Sequence, residues 1–86
     1  MLKPLYSEGF KKQYKKLPPI LQNKFLKQLN FLLKNPHHPS LHTKRVSGTE
    51  KFEARVDYHN RLTFLVVQNE IWFLSIGPHD EGLGKK

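Results

Sequence analysis

The chain has 86 residues, no cysteine, and a formal charge of +8 from 15 lysines and arginines against 7 aspartates and glutamates. That length suits a single domain over residues 1–86 that buries roughly 60–65% of its unfolded surface, and the missing thiols exclude disulfides and thiolate metal sites. No apolar run approaches the ~20 residues of a membrane span, and Met1-Leu2-Lys3-Pro4 opens no signal-peptide pattern, so a cytoplasmic setting is expected.

Residues 2–6 (Leu-Lys-Pro-Leu-Tyr) read as a short strand at a sheet edge, because Pro4 has no N–H to give a ladder. Ser7 is placed to cap a helix, with Glu8 at its positive end. Phe10, Tyr14 and Leu17 recur at helical spacing, and Lys11, Lys12, Lys15 and Lys16 take the solvated side. Pro18-Pro19 stops this helix and opens a second. In the second, Leu21, Phe25, Leu29 and Leu32 form the apolar stripe, and Asn35-Pro36 ends it. Neither helix can bury its stripe alone, so both are expected on one face of a sheet.

Residues 35–50 hold three histidines, two prolines and a glycine, and read as a long irregular connection pinned by Leu41 and Val46. After it comes a strand whose Phe52, Ala54 and Val56 should meet the helices, while Glu53 and Arg55 share the open face. Tyr58-His59-Asn60 makes a turn. The next strand alternates Leu62, Phe64 and Val66 with Arg61, Thr63, Leu65 and Val67. Ile71 to Ile76 is almost wholly apolar and reads as a central strand, on which Trp72 is read as a core residue, with a stacking platform for a base as the alternative; Gly77-Pro78 ends it, and His79-Asp80 follow. The expected fold is α+β: a strand, a helix hairpin, then three strands in a small, mainly antiparallel sheet.

The charge excess selects a polyanionic partner: RNA, DNA, an anionic membrane or an acidic protein. Arg55 and Arg61 carry planar forks suited to phosphate oxygens. The plainer role for Arg55 is an ion pair with Glu53, Asp57 or Glu70. Lys44, Arg45 and Lys51 flank this region and can guide a nucleic-acid strand. His42 is an auxiliary proton or phosphate contact. His37, His38 and His42 have no cysteine or carboxylate beside them in the loop, so no metal is expected.

Taken in order, His38-Pro39-Ser40-Leu41, Val46-Ser47-Gly48, Arg55-Val56, Arg61-Leu62-Thr63-Phe64 and Ser75-Ile76-Gly77-Pro78-His79-Asp80 resemble the RelE/ParE superfamily of bacterial toxins over nearly the whole chain. That resemblance implies a toxin that cleaves mRNA, in partnership with the ribosome, and is silenced by a cognate antitoxin. No cofactor is implied. It also implies roles: Arg61 on the scissile phosphate, Arg55 assisting from the preceding strand, and His79 transferring protons. Several relatives have a C-terminal aromatic that orients the nucleotide. Here none follows Trp72-Phe73, which leaves Tyr58 to supply the stacking.

The chemistry fits those residue types. Metal-free RNA cleavage needs a base at the 2′-OH, cations on the developing phosphorane and an acid for the leaving 5′ oxygen. An imidazole, with a reference pKa of about 6.5, holds either proton state near neutrality. Two alternatives remain from the same superfamily. One is a gyrase-inhibiting toxin with no need of a proton-transfer histidine. The other is a catalytically weak module that binds RNA or an antitoxin.

Overall fold

The computed structural model describes residues 1–78. Along them run β1 (Lys3–Tyr6), α1 (Glu8–Lys16), α2 (Pro19–Lys34), β2 (Lys44–Arg45), β3 (Phe52–Arg55), β4 (Asn60–Val67) and β5 (Glu70–Pro78). The strands make one sheet in the order β1-β5-β4-β3-β2. β1 runs parallel to β5, and the other pairings are antiparallel. This is the expected α+β arrangement, with one addition. The connection over residues 35–50 is not wholly irregular: Pro39–Leu41 form a 3₁₀ turn, and Lys44–Arg45 pair with β3 as a fifth strand. A two-residue strand of charged side chains has no apolar alternation to betray it. Leu41 is fully buried and pins the segment, as its place in a polar stretch implied. The tight return from β2 to β3 passes through Gly48 at φ 76°, a backbone region that side chains disfavour.

Both helices pack on one face of the sheet, and Phe73 of β5 is where they meet it. Its ring lies 5.7 Å from Phe10 of α1 and 5.4 Å from Phe25 of α2, with Tyr6 at 5.5 Å and Phe64 at 6.4 Å. Leu32, Leu62 and Ile71 are fully buried around this aromatic cluster. A thin core thus gains most of its area from a few large rings.

β1 covers only the first part of β5, from Glu70 to Phe73. Beyond that point α1 takes over the exposed edge. The Ser7 N–H donates to the Phe73 carbonyl at 3.0 Å, the Ser7 hydroxyl donates to the Leu74 carbonyl at 3.1 Å, and the Gln13 side chain accepts from the Ile76 N–H at 2.9 Å. The Ser7 hydroxyl also accepts from the Phe10 N–H at 3.0 Å and so caps the helix.

Leu74 is the extra residue of a β-bulge. Thr63 opposes Ser75 and Phe64 opposes Phe73, so Leu74 has no partner on β4. The bulge changes the parity of β5. Ile71 and Phe73 face the core before it, and Ile76 faces the core after it. Trp72 therefore points away from the helices and stays 36% exposed. The expectation that Trp72 is a core residue is corrected here: an all-apolar strand does not reveal its inward face, and one inserted residue flips it.

Ser7 joins the helix start to the bulge, so Ser7→Ala removes two bonds at once. The expected cost is about 1–2 kcal/mol, read as a lower urea midpoint with an unchanged slope. An unchanged midpoint would show that water replaces both bonds freely.

Candidate nucleic-acid interface

The odd-numbered positions of β4 face away from the helices. Leu62 and Phe64 are fully buried, while Arg61, Thr63 and Leu65 are half-buried on the opposite side. The pairs Phe52–Phe64 and Ala54–Leu62 set the register of β3, which puts Arg55 directly opposite Arg61 and Glu53 opposite Thr63. β2 then sets Lys44 opposite Glu53. The open face thus carries two facing arginines near one end, with a lysine on the adjoining strand.

Like charges placed directly across a strand pair destabilise a sheet. Among the described residues neither Arg55 nor Arg61 forms an ion pair. The three carboxylates expected as partners of Arg55 are engaged elsewhere. Glu53, only 6% exposed despite its place on the open face, lies 3.9 Å from Lys44. Asp57 lies 3.3 Å from Lys24. Glu70 accepts from the Trp72 indole at 3.3 Å. The Nε of Arg55 is buried with no hydrogen-bond partner among the described residues. A buried donor in that state favours an incoming acceptor.

Arg61 is held from below by the β3–β4 turn. Its Nη1 donates to the carbonyls of Asp57, Tyr58 and Asn60 at 3.0, 3.1 and 3.3 Å. One nitrogen of the fork is thereby fixed on the backbone. Asp57 builds that turn in the manner of an Asx-turn. Its Oδ1 accepts from the His59 N–H at 2.9 Å, the Asn60 N–H at 2.8 Å and the Asn60 side chain at 3.0 Å. Burial pushes the Asp57 carboxyl up, but the bonds from Asn60, His59 and Lys24 outweigh it, so the net shift is down from 3.8.

The remaining candidate residues separate. Tyr58 sits on the same turn, 76% exposed, its ring edge-on to His59 at 4.9 Å. Lys44 is exposed on the open face beside Glu53. Arg45 projects to the helix side, where its guanidinium lies 5.2 Å over the Phe52 ring and 3.7 Å from Glu50. Lys51 is exposed just before β3. His42 is exposed with a left-handed backbone at φ 50°, closing the 3₁₀ turn. His79 lies outside the described residues, but β5 ends with Gly77 opposite Arg61 and Pro78 opposite Asn60. The strand that leads to His79 therefore finishes beside the arginine pair.

One feature escaped sequence reasoning and another was misplaced by it. Trp72 was read into the core, and only the register around the bulge shows which way it faces. Thr63 and Ser75 face each other across β4 and β5 with hydroxyls 2.6 Å apart, a pairing that only the register reveals. The loop histidines are used locally: His38 accepts from the Ser40 N–H at 3.1 Å, and His37 stands edge-on to Phe52 at 5.2 Å. A separate groove of about 470 Å³ opens between the helices, with Phe10, Tyr14, Phe25 and Leu26 against it and Lys11 and Lys15 at its rim.

Because the Asp57 carboxyl is depressed in the folded state, its contribution to stability is complete above the unfolded-state value. It is lost as pH falls through the folded-state value, which lies below 3.8. Asp57→Ala should therefore be less stable than the wild type at neutral pH, with the gap narrowing as the pH drops below that point. Urea unfolding across that range tests it, and a gap independent of pH would refute the assignment.

The sequence matches no known family model and no curated protein. The fold does match solved structures. Against the archaeal RelE–RelB complex from Pyrococcus horikoshii OT3 the TM-score is 0.79 at 19% identity, covering 93% of this chain and 97% of that one. Against the YoeB dimer from Staphylococcus aureus it is 0.77 at 19% identity, covering 91% and 97%. Against the E. coli RelBE toxin–antitoxin complex it is 0.76 at 17% identity, covering 93% and 99%. A helix hairpin on a mixed five-stranded sheet, spanning nearly all of each chain, is thus the shared architecture, and this chain has the fold of those RelE and YoeB structures.

Proposed function

We propose that this protein is the toxin of a toxin–antitoxin pair and acts as a metal-independent endoribonuclease on mRNA, with the ribosome as the setting for cleavage. The observation that carries this reading is the facing pair Arg55 and Arg61 on the open sheet face. It costs the fold stability when empty and is suited to a phosphate when filled. In the proposed reaction a base takes the 2′-OH proton, the 2′ oxygen attacks phosphorus, and the bond to the 5′ oxygen breaks as an acid protonates that oxygen. The arginines stabilise the negative charge that builds on the phosphorane oxygens. His79 is the proposed base or acid, and Tyr58, exposed beside Arg61, is the proposed surface for a neighbouring base. Lys44 and Lys51 are proposed to guide the strand, with His42 an auxiliary contact. Arg45 is engaged on the other side of the sheet and has a lesser part.

The antitoxin is the second proposed partner. The structures similar in fold include complexes of RelE with RelB and of YoeB with YefM. The groove between the helices has an apolar floor and a rim on which Lys11, Lys12 and Lys15 outnumber Glu8, a combination that fits an amphipathic segment with acidic flanks.

Induction of the wild type should arrest growth and generate new mRNA 5′ ends, mapped by primer extension. Arg61→Ala and His79→Ala should each reduce cleavage by about 100-fold or more. Growth arrest without new ends would reject the nuclease reading and favour the gyrase-inhibiting one, in which His79→Ala leaves toxicity intact. With about five phosphates neutralised on single-stranded RNA, log affinity against log salt should fall with a slope of about −3.5, and Arg55→Ala should flatten it by about 0.7. A salt-independent affinity would dismiss the electrostatic interface.

A further inference from the structure

The open face does not end at the arginines. From Arg61 it runs along β4 through the Thr63–Ser75 hydroxyl pair to Leu65, which lies opposite Trp72. Trp72 is flanked on its other side by Leu5 of β1, its register partner there. The indole N–H is tied to Glu70, which fixes one edge of the ring, and the residue remains 36% exposed. Positions 61 and 65 of β4 are about 13 Å apart at the usual rise of a strand, a span that a few nucleotides cross.

We propose that Trp72 is a stacking platform for one base of a single-stranded RNA whose phosphate lies between Arg55 and Arg61. This rests on the nucleic-acid reading of the arginine pair and adds a second contact point to it. Cationic forks at one end, hydroxyls in the middle and one fixed aromatic ring at the other match the alternation of phosphate, ribose and base along a strand. An apolar protein segment would fit less well. The aliphatic surface here is confined to the neighbours of one ring, and the rest of the path is charged or hydroxylated. The bulge at Leu74 lets Phe73 and Ile76 both face the core, with Trp72 left on the open face opposite Leu65.

Trp72 is the sole tryptophan of the chain, so its emission reports on this position alone. The probe is a short single-stranded RNA with 2′-O-methyl groups, which block cleavage, titrated while both its anisotropy and the tryptophan emission are followed. The expected result is quenching that saturates together with binding. Trp72→Ala should bind about 5- to 100-fold more weakly, and Trp72→Phe should recover most of the loss with an unchanged circular dichroism spectrum. Saturable binding with unchanged emission, and equal affinity for the alanine variant, would overturn this proposal and leave the arginine reading standing. No RNA binding by the wild type would overturn both. Emission that changes with protein concentration, together with a dimer in sedimentation, would assign the face to a second copy and overturn the stacking role.

Discussion

The register of β3 on β4 is the constraint from which the open face follows. Phe52 against Phe64 and Ala54 against Leu62 bury apolar surface under the helices, and a slip by one residue would turn that entire set to solvent. The core thus decides where the odd-numbered side chains go. It gives the sheet no freedom to separate Arg55 from Arg61. Packing on one side of a strand pair thus sets two like charges opposite each other on the other.

The turn that links these strands is stiffened to match. Asp57 collects two backbone N–H groups and the Asn60 side chain, while α2 contributes Lys24 from the helix layer. Arg61 in turn caps three carbonyls of the same turn. One nitrogen of the guanidinium is therefore fixed by the fold itself. Helix layer, turn and cationic pair form one connected unit, and the polar bonds that order it are made at its rim.

Much of this was legible in the residues. Ser7, the double proline and the Asn35-Pro36 stop mark the helix hairpin, because capping and proline act locally. The alternation of Arg61 and Thr63 with Leu62 and Phe64 gives the inward and outward faces of β4, because in its first half only one face is apolar. β5 was opaque for the complementary reason: its run from Ile71 to Ile76 is apolar on both faces, so neither the bulge at Leu74 nor the exposure of Trp72 leaves a trace in the pattern. The pairing of Lys44–Arg45 with β3 is equally silent, being short, charged and set by the partner strand. Of the candidate site, the residue types were readable from local sequence. That Arg55 faces Arg61, and that Arg45 parts company with Lys44, are properties of register and appear only when strands are paired.

The order of strands in space has a further consequence for folding. β5 is the last strand of the described residues, yet it lies between β1 and β4 and carries Phe73, on which both helices pack. Its partner β1 comes from the opposite end of the described residues, with Lys3 pairing to Glu70. Contacts so distant along the chain form slowly, and here they form late. Without β5 the two helices have no Phe73 to pack on. Arg55 and Arg61 come earlier in the chain, yet the sheet on which they face each other is completed only when β5 pairs with β4 on one side and β1 on the other.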